Sequence, residues 1–145
     1  MRDDALILLV EDRPDDVFLM LRSFDHAGIK NPVQVATDGE EAIHYLGGEG
    51  KFSDRQAYPL PELVLLDLKM PKMGGMEVLE KVKSDPNFRS IPVIILTSSK
   101  EDPDIQKCYA LGANSYVVKP VSFEEFHKAI SSLGLYWMIV NQPSH

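Results

Sequence analysis

Residues 5–10 read Ala-Leu-Ile-Leu-Leu-Val and are followed at once by Glu11 and Asp12. The run is too short for a buried helix, and no polar residue interrupts it to give it a face for water. Such a segment is a strand covered on both sides, as in the interior of a parallel sheet. Leu63–Leu66 and Val93–Leu96 have the same character, and Val33–Ala36 and Tyr116–Val118 are shorter versions of it.

Segments of helical period lie between these runs. Val17, Leu21 and Phe24 line one face of a helix whose first turn holds Pro14. Gly39–Leu46 is a short second helix. Met76, Leu79 and Val82 mark a third, ending before Asp85-Pro86. Asp102 as N-cap, Pro103 at the first helical position and Gly112 as stop bound a fourth. Ser122 and Glu125 form a capping box for the fifth, with Val121 and Phe126 placed as its hydrophobic staple. Five strands alternating with five helices predict an α/β domain, a doubly wound parallel sheet covered on both faces. Ligands of such sheets bind at the carboxyl ends of the strands.

Composition narrows the function. With 145 residues the chain is one domain whose core needs no disulfide or metal staple. Its 15 Lys and Arg against 22 Asp and Glu give a net charge of −7, which argues against a nucleic-acid partner. No basic patch offsets this, since Lys100 and Lys107 stand among Glu101, Asp102 and Asp104. Cys108 is the single cysteine, and its spacing from Ile105 and Leu111 marks it as a small buried residue. A lone cysteine, no signal-peptide pattern and no apolar run near the ~18 residues of a membrane span predict a cytoplasmic protein without a membrane partner. Residues 47–62 form a long connection that reads as a surface insertion, with Phe52 and Tyr58 as candidate contacts for a partner.

The strand ends carry the chemistry. The first ends in Glu11-Asp12, the third in Asp67, the fourth in Thr97-Ser98-Ser99 and the fifth in Lys119-Pro120. Any one of these is an ordinary turn or cap residue. At corresponding ends of one parallel sheet they converge. Three carboxylates held together repel and raise one another's pKa. A hard divalent cation relieves this, and Mg²⁺ suits a few carboxylates plus water. The absence of a His or Cys cluster does not suit zinc. A carboxylate can attack a phosphoryl group to give an aspartyl phosphate. The phosphoryl oxygens then need a cation and hydrogen-bond donors, roles open to Lys119 and Thr97.

Leu9-Val10-Glu11-Asp12, Leu66-Asp67-Leu68-Lys69-Met70-Pro71, Gly75, Leu96-Thr97-Ser98, Gly112-Ala113 and Tyr116-Val117-Val118-Lys119-Pro120 together resemble the receiver domains of two-component response regulators. The resemblance runs from about Ala5 to Leu133. It implies a flavodoxin-like five-stranded parallel sheet of order 2-1-3-4-5 with five helices. It implies that Asp67 is the phosphoacceptor, charged from the phosphohistidine of a sensor histidine kinase. Glu11, Asp12, Asp67 and the backbone carbonyl of Lys69 would hold Mg²⁺, with Glu11, where many members carry Asp, acting through water. Thr97 and Lys119 would contact the phosphoryl group. Thr97 and Tyr116 would form the switch, and Lys119-Pro120 would be a cis peptide. Gly74 stands where an Asp is common. The protein would be a stand-alone signalling protein rather than an enzyme acting on a separate substrate. Its output would be a downstream protein or a phosphorelay through a histidine phosphotransfer protein.

Two further features resemble the stand-alone regulators paired with phytochromes: the long 47–62 connection and the aromatic end Tyr136-Trp137. They imply a phytochrome-type kinase as partner. Residues 1–134 are expected to form the receiver domain and 135–145 a C-terminal extension. Leu135–Val140 is apolar throughout, so a homodimer is expected, with Tyr136, Trp137 and Ile139 at its interface. Competing readings fail on particular residues. Glu11-Asp12-Arg13-Pro14-Asp15-Asp16 would repel a flavin phosphate, and no Gly-x-Gly-x-x-Gly is present for a dinucleotide. A haloacid-dehalogenase-type phosphatase needs a second acid where Lys69 stands.

Overall fold

In the computed structural model, which describes residues 5–70 and 72–133, five strands alternate with five helices. The strands are β1 (Ile7–Val10), β2 (Val33–Ala36), β3 (Leu63–Asp67), β4 (Val93–Thr97) and β5 (Ser115–Val118). The helices are α1 (Pro14–His26), α2 (Gly39–Gly47), α3 (Gly75–Ser84), α4 (Asp104–Ala110) and α5 (Phe123–Ser132). Every pairing is parallel and the order is β2-β1-β3-β4-β5, the doubly wound arrangement expected from the alternation. The three uninterrupted apolar runs became β1, β3 and β4, each buried at every residue.

Because successive side chains leave a strand on opposite faces, each strand feeds two cores. Ile7, Leu9, Leu63, Leu65, Ile94, Leu96 and Val117 pack with Met20 and Phe24 of α1 and Phe126 and Ile130 of α5. Phe24 and Phe126 meet at a ring separation of 4.8 Å. Leu8, Val10, Val64, Leu66, Val93 and Ile95 pack with Tyr45 and Leu46 of α2, Leu79 and Val82 of α3 and Cys108 of α4. Burial pushes the Cys108 thiol above its ordinary pKa, with Asp104 and Asp102 adding to the effect, so it behaves as a core residue.

Helix ends follow local chemistry. Pro14 opens α1. The Asp38 carboxylate accepts from Glu41 N at 2.8 Å, and Glu41 in turn accepts from Thr37 N at 3.0 Å. Ser122 Oγ accepts from Glu125 N at 3.2 Å, a cap worth about 1 kcal/mol. Val121 and Phe126 beside it are buried. α4 begins at Asp104, one residue later than the sequence predicts. Asp102 still accepts from Asp104 N at 2.9 Å. The turn is closed by the tighter bond from Ile105 N to Asp102 O at 3.1 Å, so α-helical geometry starts only after it.

The 47–62 connection differs from the expected loose insertion. Phe52 is buried and Tyr58 is half-buried, packed edge-on against Phe52 and Tyr45. The Arg55 guanidinium donates to the carbonyls of Tyr45, Leu46 and Phe52, which ties the segment to the end of α2. Phe52 is therefore a core residue and not a free contact for a partner.

Gly75 sets how close α3 comes to the end of β3. A Cβ there would collide with the Asp67 carbonyl oxygen and lie 2.8 Å from Leu68 Cα. Its N–H donates to Leu68 O at 3.2 Å. Gly75→Ala must push backbone that carries Asp67, and we expect a loss of about 1–3 kcal/mol in urea unfolding. An unchanged midpoint would contradict this close approach.

Candidate phosphoacceptor site

Strand register brings the chemistry-bearing residues to one edge. Val10 pairs with Leu66, Asp67 with Leu96, and Thr97 with Val118. The ladder continues past the strands through Glu11 N to Ala36 O at 3.0 Å and Lys119 N to Thr97 O at 2.7 Å. Glu11, Asp67 and Lys119 therefore follow Leu9, Leu65 and Val117 on the face covered by α1 and α5. Thr97 and Tyr116 follow Ile95 on the face covered by α2, α3 and α4. Strand parity divides the site into a carboxylate–ammonium half and a hydroxyl–aromatic half.

In the first half, the Lys119 ammonium lies 3.0 Å from Glu11 Oε1, 3.1 Å from Asp16 Oδ2 and 3.4 Å from Asp67 Oδ1. Glu11 and Asp67 are buried, with 1% and 3% of their surface exposed. Burial pushes the Glu11 carboxyl up to about 7; nearby Asp67 adds to the rise and Lys119 opposes it. Burial alone would lower the Lys119 pKa, but hydrogen bonds to Glu11 and Asp16 and the charge of Asp67 raise it to about 12. The ammonium is thus firmly protonated.

One carboxylate oxygen from each of Glu11, Asp12 and Asp67 lies within 4.8 Å of the other two. The two oxygens of Glu11 are engaged, Oε1 by Lys119 and Oε2 by Arg13 N at 3.2 Å. Asp12 Oδ1 is buried with no hydrogen-bond partner. An orphaned carboxylate oxygen beside two further carboxylates is a costly arrangement that a hard cation would relieve. The donors are all oxygens, so the set fits Mg²⁺ or Mn²⁺.

In the second half, Thr97 is buried and its hydroxyl is within reach of the Ser99 carbonyl at 3.2 Å and Asp102 Oδ2 at 3.4 Å. It faces the start of α4. Tyr116 is half-buried and meets Tyr109 of α4 edge-on at 6.4 Å. Lys69 N donates to Asp67 Oδ1 at 3.4 Å, and its ammonium pairs with Asp104 at 3.4 Å. The Lys119-Pro120 bond is cis.

The structure thus gathers Glu11, Asp12, Asp67, Thr97 and Lys119 as expected from the strand ends. Two participants escaped sequence reasoning. Asp16 reads as an ordinary first-turn acid of α1, and its partner Lys119 is 103 residues away. Asp102 reads as a cap only, although its second oxygen meets Thr97. Tyr136, Trp137 and Ile139, with the rest of 134–145, lie outside the described residues. No helix among the described residues is long and apolar enough to cross a membrane.

Comparison with known proteins agrees with this geometry. The probable methanogenesis regulatory protein FilR2 of Methanothrix harundinacea is 37% identical over 136 residues, spanning 94% of this chain and 85% of that protein. The bacteriophytochrome response regulator AtBRR is 46% identical in a structural match of TM-score 0.86, covering 96% of this chain and 99% of that one. Response regulator Rcp1 of Synechocystis is 32% identical over 133 residues, spanning 92% of this chain and 88% of that protein. The Mn²⁺-bound form of Rcp1 matches with a TM-score of 0.73 over 97% of this chain and 99% of that one. Residues 7–131 match the response regulator receiver domain, so the chain belongs to the receiver-domain family of two-component signalling proteins, which are phosphorylated on an aspartate.

Proposed function

We propose that Asp67 is the phosphoacceptor, charged by the phosphohistidine of a sensor histidine kinase. The observation that carries this reading is a buried carboxylate at the carboxyl end of β3 with an ammonium 3.4 Å from its Oδ1. A carboxylate oxygen of Asp67 attacks phosphorus, the phosphorus–nitrogen bond breaks, and its electron pair stays on the donor imidazole. Lys119 and the Thr97 hydroxyl meet the charge on the phosphoryl oxygens. Glu11, Asp12, Asp67 and the Lys69 carbonyl would hold Mg²⁺, which supplies further neutralisation of that charge. Asp12, whose Oδ1 is unengaged, would be a direct ligand, and Glu11, whose two oxygens are occupied, would act through water. The donor is a protein, and α1 beside the site offers Phe18 and Leu19, 53% and 55% exposed. Similarity to a bacteriophytochrome response regulator supports a phytochrome-type kinase in the cytoplasm as that donor.

Output passes through α4. To reach a phosphoryl group on Asp67, Thr97 must leave Ser99 and Asp102, which unties the start of α4. Tyr116 then turns into the vacated space and loosens from Tyr109. The altered α4–β5 surface is read by a downstream protein.

Incubation with acetyl phosphate and Mg²⁺ should add one phosphoryl group at Asp67, detected by intact mass and peptide mapping. Asp67→Asn should abolish it while leaving the unfolding midpoint of a folded protein. Modification at an undiminished rate in that variant would overturn the assignment. Glu11 gives a separate pH test. Its carboxyl titrates near 4.5 when unfolded and near 7 when folded, so folding takes up a proton between those values. Without divalent cation, stability should fall as the pH rises through this window and level off above it. The slope from one proton is at most roughly 1.4 kcal/mol per pH unit. Glu11→Gln should remove that component in urea unfolding with chelator present. Equal slopes in the two proteins would contradict the buried, protonated Glu11.

A further inference from the structure

Lys119 has a partner that the phosphoryl chemistry alone does not require. Asp16, in the first turn of α1, brings Oδ2 to 3.1 Å from Lys119 Nζ, closer than Asp67 at 3.4 Å. Among the described residues, Asp16 also meets Arg13, whose Nε is 3.6 Å from Oδ2 on an arm 70% exposed. Asp16 itself is only 29% exposed at its side chain, and Lys119 only 17%. The carboxylate is thus spent on Lys119 in a partly desolvated place, where an ion pair is screened less than on the surface.

An ammonium has three N–H donors, and here three carboxylates receive them. A lysine carries its charge on a flexible four-carbon stem, so its catalytic value depends on what holds it. Two of its three anchors change when the site works. Asp67 becomes an acyl phosphate, a mixed anhydride without its negative carboxylate oxygen, and Glu11 would share its charge, through water, with a bound cation. Asp16 belongs to α1 and lies outside the acceptor and cation set, so neither event changes it. Beside it, a cleft of about 170 Å³ walled by Leu19, Met20, Pro120 and Val121 gives the lysine head room to leave.

We infer that Asp16 is a positioning residue for Lys119, holding its ammonium beside Asp67 while the phosphoryl group arrives. The inference rests on Asp67 being the acceptor. Asp16 touches no reacting atom and acts only through the lysine. A charge at the mouth of the site could also act by repelling an anionic donor, and that effect has the opposite sign: removing it would speed the reaction.

The test compares wild type, Asp16→Asn, Asp16→Ala, Lys119→Met and the Asp16→Asn, Lys119→Met double variant. One reading is the initial rate of modification by acetyl phosphate with Mg²⁺. The other is the Lys119 Cε proton–carbon NMR signal in lysine-labelled protein without donor, assigned by its loss in Lys119→Met. Asp16→Ala should slow modification measurably, up to the roughly hundredfold that a 1 Å misplacement can cost, with Asp16→Asn between. In the Lys119→Met background the Asp16 substitution should change nothing, and in Asp16→Ala the Cε signal should move towards that of exposed lysines. An unchanged or faster rate in Asp16→Ala, or the same loss without Lys119, would overturn the inference. If wild type is not modified at Asp67, the acceptor reading fails; the Cε signal then decides the tether by itself, an unmoved signal overturning it.

Discussion

One half-buried ammonium organises the carboxylate edge of this protein. Glu11, Asp16 and Asp67 come from three different elements and would repel one another in the small volume they share. Lys119 sits among them at 3.0, 3.1 and 3.4 Å and makes their convergence tolerable. Charge balance alone does not complete the site. Asp12 Oδ1 remains buried without a partner, and Glu11 holds its proton up to about neutral pH. The site leaves a carboxylate oxygen unsatisfied, which on the proposed reading a cation and a phosphoryl group would complete. That is the physical sense in which an acidic pocket can be both stable enough to fold and ready to react.

Strand parity connects that pocket to a signal. The alternation that sends Leu9, Leu65 and Val117 to the α1–α5 core sends Glu11, Asp67 and Lys119 to the same side. Thr97, one position beyond Leu96, leaves on the other side, where α4 begins. The carboxylate and hydroxyl halves therefore meet only over the top of the sheet. A group on Asp67 that recruits Thr97 must draw it across from the α4 side, breaking its contacts with Ser99 and Asp102. The Lys69–Asp104 pair spans the same gap from the loop after β3. On the proposed reading, chemistry on one face would be felt by a helix packed on the other.

How much of this could be read beforehand depended on the range of the interactions. The unbroken runs at Ala5–Val10, Leu63–Leu66 and Val93–Leu96 determine buried strands by local composition, and their order follows from the alternation with helices. The strand-end residues were legible because a parallel sheet aligns them without any side-chain detail. Arg55 was not, since an arginine in a Gly- and Pro-containing stretch looks solvated until the end of α2 presents the carbonyls of Tyr45 and Leu46 to it, and the segment itself that of Phe52. With Arg55 in place, Phe52 turns inward, and a segment that resembled an insertion became part of the core. Asp16 was hidden for a similar reason: its first-turn position explains an acid without reference to Lys119. The start of α4 came late because Asp102 divides its two oxygens between capping and Thr97.

The central claim is that a phosphoryl group on Asp67 takes Lys119 and Thr97 as ligands and thereby frees the start of α4. A crystal structure of the protein with beryllofluoride, a stable phosphoryl mimic, and Mg²⁺ tests it directly. The account predicts the mimic on Asp67, contacts to it from the Lys119 ammonium and the Thr97 hydroxyl, and Thr97 parted from Asp102. A mimic bound elsewhere, or one on Asp67 with Thr97 still on Asp102, would contradict it.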